Sequence, residues 1–392
     1  MLGCEDPEKR DRAVQRAAEL LRRGNLVVFP TETVYGLGAL ATHHEGLGRL
    51  REVKQRAASQ PFTVHVGAAD EVERYVDLSV QPALRRLMRK TMPGPITFLA
   101  EVEDGVIESK LAELGIASER RSVLYHGNVI GLRCPDHPVA EALLSAVDGP
   151  VVASSANVTG RPAPTDGEQA SLAIGNSAAL ILDGGPARFS RASTIVRVKG
   201  MEVQVVREGV YDQRYLEKLL HRSVLFVCSG NTCRSPMAES IARDAVAKRV
   251  KAERGGSGLS DVTVTSAGAF AMSGAAISPE AVEALRRMRV PFEGHSARAL
   301  SVSMIRSADV IYCMTESHRR AIEEMLPSAM SKTHLLDPSG RAVDDPVGAG
   351  LGVYVTCAEA MKKMIDRRVE ELATEGSAEV NVGGASRGKV PA

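Results

Sequence analysis

The chain has 392 residues, 44% hydrophobic and 25% charged, a globular composition long enough for two cores. Its 49 Lys and Arg nearly balance 48 Asp and Glu, which argues against a broad phosphate-tracking surface and confines any RNA contact to a local cleft. No apolar run reaches membrane-span length, the start MLGCEDPEKRDR lacks an apolar leader core, and the six cysteines show neither a secreted framework nor zinc-ligand spacing. A cytoplasmic protein with reduced thiols and no membrane partner is expected.

Val14, Ala17, Ala18 and Leu21 follow helical spacing, so a helix over 12–21 should stop at Gly24 and feed a buried strand over 26–29. Further strands are predicted at 62–66, 96–102, 129–133, 151–154 and 179–182, followed by a hairpin over 194–206 turning at Lys199-Gly200. This mixture reads as an α/β domain with a mixed sheet over 1–210. Within it, the stretch from Phe29 to Gly38 reads as a Gly-rich, hydroxyl-lined turn suited to a small polar ligand. Lys54 and Arg56 supply cations for a triphosphate, and the strand over 62–66 presents His65.

A connector over 211–222 carries a short helix, and then the rhythm changes. Strands at 224–227, 262–265, 310–313 and 334–336 alternate with helices at 236–247, 279–288, 317–325 and 354–373. Four strand-helix units imply a parallel sheet with helices on both faces, and ligands then gather outside the carboxyl ends of the strands. This second domain is expected over 223–375, with a disordered Gly- and Ser-rich tail over 376–392.

At the end of its first strand stand Cys228, Ser229, Gly230, Asn231, Thr232, Cys233, Arg234 and Ser235, followed by Pro236 and a helix. A Cys and an Arg flanking five loop residues at a helix N-terminus turn successive backbone N–H groups inward as an anion nest. The nest and the helix dipole favour a thiolate at Cys228, while Arg234 can hold two phosphoryl oxygens as a planar fork and Ser235 can hydrogen-bond the sulfur. A proton donor is still needed. Asp345, in Asp-Pro-x-Gly, is preferred to Asp337, which abuts a strand end. Cys313 and Cys357 read as core residues, whereas His318 and His334 have no evident partner and read as surface or capping residues.

These residues, with Ser266-Ala267-Gly268 and Ser296-Ala297-Arg298, resemble the low-molecular-weight protein phosphatase family. The resemblance implies attack by Cys228, a cysteinyl-phosphate intermediate, no cofactor, a phosphorylated protein substrate, and Asp345 as acid and then base. It also implies a thiol at Cys233 able to trap Cys228 as a disulfide, against which simple packing weighs evenly. Tyrosine-directed members carry a bulky aliphatic residue at the Thr232 position and aromatics after the Asp-Pro. Thr232, Val347 and Gly348 resemble instead the arginine-phosphate phosphatases, so phosphoarginine is favoured over phosphotyrosine.

In the first domain, the loop from Phe29 to Gly38, Lys54-Gln55-Arg56, Met92-Pro93-Gly94-Pro95, Gly131-Leu132-Arg133, Ser154-Ser155-Ala156-Asn157, Ser193-Thr194 and Arg207-Glu208-Gly209 together resemble the YrdC-like threonylcarbamoyl-AMP synthases. That resemblance implies conversion of L-threonine, bicarbonate and ATP, with Mg2+ on its phosphates, to threonylcarbamoyl-AMP and pyrophosphate. The product would pass to the transferase machinery that modifies adenosine in tRNA. Lys54, Arg56, Ser155, Asn157 and Arg207 would hold ATP, and Thr31, His65, Arg133 and Ser193 the threonine. Ala57 and Met92 depart from the family, which has Pro and an aromatic there. The alternative is a phosphotyrosine phosphatase whose N-terminal domain binds RNA or regulates without catalysis.

Overall fold

The computed structural model describes residues 1–384 except 5, 58–59, 200–201, 253–258 and 260. The chain divides into two compact units, Met1–Leu220 and His221–Ala392.

The first helix, Pro7–Arg22, begins on an Asp6 cap that accepts from the Lys9 amide, with Pro7 in the first turn, and buries Val14, Ala17, Ala18 and Leu21. Such a cap contributes about 1 kcal/mol, and Gly24, at φ +76°, reverses the chain after the helix.

Eleven strands form the first unit's sheet: β1 (Leu2–Gly3), β2 (Val27–Phe29), β3 (Gly36–Leu40), β4 (Thr63–His65), β5 (Ile96–Glu101), β6 (Tyr125–His126), β7 (Val129–Arg133), β8 (Val151–Ser155), β9 (Leu180–Asp183), β10 (Thr194–Lys199) and β11 (Glu202–Arg207). Their order is β1-β9-β2-β3-β8-β4-β7-β5-β10-β11, with β6 beside β7. The sheet is mixed: β2, β3, β8 and β4 run antiparallel in succession, whereas β4 and β7, and β5 and β10, pair in parallel. Both faces are covered, since Val28 enters the core containing Leu37 and Val64 while its neighbours Val27 and Phe29 enter the one built on the first helix.

Two expectations change here. Gly36 to Gly38 are not a turn but the start of β3; the ligand loop is only Pro30 to Tyr35, and β3 returns antiparallel to β2. The helix Gln213–Leu220 is not a free connector, because Leu216, Leu219 and Leu220 are buried in the first unit's core.

The second unit has a parallel sheet of β12 (Arg222–Cys228), β13 (Val262–Gly268), β14 (Val310–Cys313) and β15 (Thr333–Leu335) in the order β13-β12-β14-β15. The chain passes from β12 to one side and then returns to the other, so the switch point lies at the carboxyl end of β12. The closing helix, Leu351–Gly384, extends beyond the residue where the tail was expected to begin. Extending a helix already anchored by packing adds one hydrogen bond per residue without a new nucleus. The rest of the expected tail lies outside the described residues.

Candidate functional sites

Cys228 closes β12, paired in register with Gly268 on β13, and the helix Arg234–Ala252 starts six residues later. The loop between them is shaped around its sulfur: the Asn231 amide donates to Cys228 Sγ at 3.3 Å, and Ser235 Oγ lies 2.9 Å from it. Asn231 adopts the left-handed conformation, φ +54°, which reverses amide direction and makes the concavity of an anion nest. Its side chain fixes that geometry by donating to Ser235 Oγ and Ser266 Oγ, each at 2.9 Å, and accepting from the Arg298 amide at 2.8 Å. Ser266 Oγ donates to Glu239 at 2.5 Å, and His295 Nε2 lies 2.7 Å from the Asn231 carbonyl oxygen.

Arg234 is 4% exposed, held by Nη1 donating to the Val343 carbonyl at 3.0 Å and by Nη2 donating to the Asp345 carboxylate. Asp345 thus reaches the arginine of the nest from the loop ahead of the closing helix. Asp337 does not: its carboxylate accepts from Ser339 N and Oγ and from Arg341 Nε, contacts that hold it below the usual carboxylate range. Thr232 is half-buried, its Oγ1 3.7 Å from Cys233 Sγ, and Cys233 also meets Ser278 Oγ and Tyr354 Oη at 3.4 Å. All six cysteines are buried and unpaired.

In the first unit, Thr31, Arg56, His65, Arg133, Ser155, Ser193 and Arg207 line one cavity of about 190 Å³. Arg133 Nη2 donates to Thr31 Oγ1 and Glu32 Oε1 at 3.1 Å and to Thr33 Oγ1 at 2.6 Å, while its buried Nε has no partner among the described residues. One guanidinium nitrogen is therefore anchored to the loop. Arg207 donates to Ser193 O and Oγ, and Ser193 Oγ meets Thr97 Oγ1 at 3.0 Å. Arg56 stacks on Phe62, 4.8 Å from the ring centroid. His65 Nδ1 faces the Thr63 carbonyl at 3.0 Å, and burial with the nearby Arg133 pushes the ring's pKa down to about 3. The imidazole is neutral near pH 7, with Nδ1–H donating and Nε2 an acceptor.

Lys54 and Asn157 stand outside that lining. Lys54 Nζ donates to Ser155 O at 2.9 Å, Asn157 O at 2.6 Å and Asn157 Oδ1 at 3.1 Å, and burial next to Arg56 lowers it to about 8. These two side chains, expected at the phosphates, hold the loop after β8.

Residues 19–209 match the family model described as telomere recombination, which covers Sua5, YciO and YrdC, and residues 223–381 match that of low molecular weight phosphotyrosine protein phosphatase. A putative threonylcarbamoyl-AMP synthase of Mycobacterium tuberculosis (strain ATCC 25618 / H37Rv) is 36% identical over 217 residues, 55% of this chain and 93% of the relative. The chain belongs to the threonylcarbamoyl-AMP synthase family. Its second unit is a low-molecular-weight phosphatase domain. Among solved structures, the YwlE arginine phosphatase from Geobacillus stearothermophilus is 33% identical over 39% of this chain and 94% of that one, TM-score 0.35. The low molecular weight protein tyrosine phosphatase from T. tengcongensis is 36% identical over 38% of this chain and 99% of that one, TM-score 0.34.

Several residues of the two sites were invisible in the sequence. In the synthase unit, Glu32 is 2% exposed and pairs with Arg133 while also accepting from the Asp136 amide at 3.2 Å. In the phosphatase unit, His318 is buried rather than a surface or capping residue, and its ring meets Ser229. Glu239, on the helix that follows the loop, holds Ser266, and His295 supports the loop from more than sixty residues away. A lone Glu or His gives no signal until tertiary structure supplies its neighbour. The Ser266-Ala267-Gly268 and Ser296-Ala297-Arg298 motifs did mark two other partners of Asn231, Ser266 and Arg298, in advance.

Proposed function

We propose that the protein is a bifunctional enzyme, combining threonylcarbamoyl-AMP synthesis with dephosphorylation of proteins at phosphoarginine. The first half is supported chiefly by the cavity that gathers Thr31, His65, Arg133 and Ser193 with Arg56 and Arg207. Arg133 would take the threonine carboxylate, the neutral His65 ring would accept from its amine, and Arg56 and Arg207 would neutralise phosphates. Lys54 and Asn157 would shape the nucleotide loop. Carbamate formation and adenylyl transfer need little covalent help, so positioning and charge neutralisation carry the catalysis. Among the described residues no cluster of His, Cys, Asp and Glu could hold a metal, and Glu32 is committed to Arg133. Mg2+ would arrive with the triphosphate rather than on protein carboxylates.

In the second half Cys228 attacks the phosphorus while Asp345 protonates the departing nitrogen, which leaves a cysteinyl phosphate. Water then attacks with Asp345 taking its proton, and phosphate leaves as Ser235 hydrogen-bonds the returning thiolate. Arg234, turning from Asp345 to the phosphoryl oxygens, would stabilise both transition states. The support is the meeting of Cys228, Arg234, Ser235 and Asp345 at one strand end. Phosphoarginine is favoured by the Thr232 hydroxyl in the loop and by the loop after Asp345, where Val347 and Gly348 offer no aromatic wall. Phe270, 74% exposed with its amide on the Ser229 carbonyl, would accept a phenol or a guanidinium alike and so does not discriminate.

The deciding experiment measures pyrophosphate release from ATP by the intact protein and by Lys54→Ala and Arg133→Ala variants, with phosphoarginine and phosphotyrosine hydrolysis measured alongside. Release that needs threonine and bicarbonate and falls in both variants is expected. No release from folded protein would leave the first unit a binding or regulatory module, and faster turnover of phosphotyrosine would reverse the arginine assignment.

A further inference from the structure

The phosphate loop is clamped unevenly. Its later half is held through Asn231, bonded to Ser235, Ser266, Arg298 and His295, and through the Thr232 carbonyl, which accepts from the Ser278 amide at 2.9 Å. Its earlier half begins at Ser229, whose carbonyl accepts from Phe270 N at 2.9 Å. Among the described residues, the side chain of Ser229 meets one partner, His318 Nε2, at 2.9 Å.

His318 is well placed to be a fixed point. It is 2% exposed, lies in the first turn of the helix Glu316–Met325, and its Nδ1 is 2.9 Å from Oγ1 of Thr315, the residue capping that helix. The helix follows β14, which pairs with β12, so the ring is tied to the strand beside the nucleophile. Burial and the positive charge of Arg234 outweigh Asp345 and lower its pKa to about 4. The neutral ring between two hydroxyls then donates at one nitrogen and accepts at the other, satisfying both.

We propose that His318 is a positioning residue of the phosphatase site, pinning Ser229 through its hydroxyl so that the first amides of the loop stay aimed at the phosphoryl group. The role rests on the phosphatase reading above. It differs from simple core filling because it acts through one hydroxyl.

The test uses the full chain with Ser229→Ala, His318→Ala and the double variant, reading tungstate affinity by calorimetry and kcat/KM on p-nitrophenyl phosphate. Each single variant should lose roughly fivefold to tenfold in both readouts, the weight of one hydrogen bond. The double variant should lose no more than either alone, because all three remove the same contact. Ser229→Ala removes only an oxygen, so it remains informative should His318→Ala fold poorly. Ser229→Ala within about twofold of wild type would overturn the proposal, as would losses that multiply in the double variant. A wild-type protein that neither binds tungstate nor hydrolyses the ester would instead remove the phosphatase reading itself, and this role with it.

Discussion

Gly268 and Asn231 stand so close that a Cβ added to the glycine would lie 2.8 Å from the Asn231 amide nitrogen and 2.6 Å from the Ser229 carbonyl oxygen. Both contacts are with backbone, so neither can turn away as a side chain could. Gly268→Ala must therefore displace the phosphate loop or the end of β13. Phosphatase kcat/KM should fall by roughly two orders of magnitude, in line with the cost of misplacing reacting groups by about 1 Å. Far-ultraviolet dichroism should stay native, because the strand itself tolerates alanine.

Asn231→Ala removes three side-chain hydrogen bonds and places alanine at φ +54°. At about 1 kcal/mol per bond, with a further 1–2 kcal/mol for the left-handed backbone, the second unit should lose roughly 4–5 kcal/mol. Denaturant unfolding followed by a probe within that unit would check this. A loss below about 1 kcal/mol would mean that the serines re-pair among themselves.

Glu32 is the buried partner of Arg133, with side-chain exposures of 1% and 8%. Removing one member of such a pair leaves an uncompensated charge, so Glu32→Ala should destabilise the first unit by about 3–5 kcal/mol. Glu32→Gln, which keeps an acceptor for Arg133, should cost less. The order of the two variants in thermal unfolding is the check.

His65 gives the first unit an acid sensitivity whose direction follows from its lowered pKa. Between about pH 3 and pH 6.5 the unfolded chain binds a proton that the folded site refuses. The stability is thus present above the unfolded value and is lost as pH falls, on the order of 3 kcal/mol by about pH 4. His65→Asn, which can still donate to the Thr63 carbonyl, should lose markedly less between pH 7 and pH 4. Equal losses in both proteins would assign the acid sensitivity to other groups.

Much of this was legible in the chain alone, where a signal is local. Alternating strands and helices from Val224 onward follow from period and turn chemistry, and the nest from Cys228 to Ser235 needs only a strand end, a tight loop and a helix start. The hairpin of β10 and β11 was visible for the same reason. The stretch from Gly36 to Gly38 reads as a turn because glycine signals backbone freedom, whereas here a Cβ at Gly36 or Gly38 would lie 3.2 or 3.0 Å from the Phe29 ring. Glycine there permits close packing in a strand.

Sequence by itself thus determined the two units, their sheets and the loop from Cys228 to Ser235, since hydrophobic period, turn residues and a contiguous anion loop are properties of neighbours along the chain. Only the tertiary structure decided that Lys54 locks a loop rather than lining the cavity, that Asp337 is spent on its own turn while Asp345 reaches Arg234, and that His318 meets Ser229. Those roles depend on which buried polar group finds which partner. The requirement that each such group be satisfied is met by contacts spanning from two residues, as between Asp337 and Ser339, to more than a hundred, as between Lys54 and Asn157.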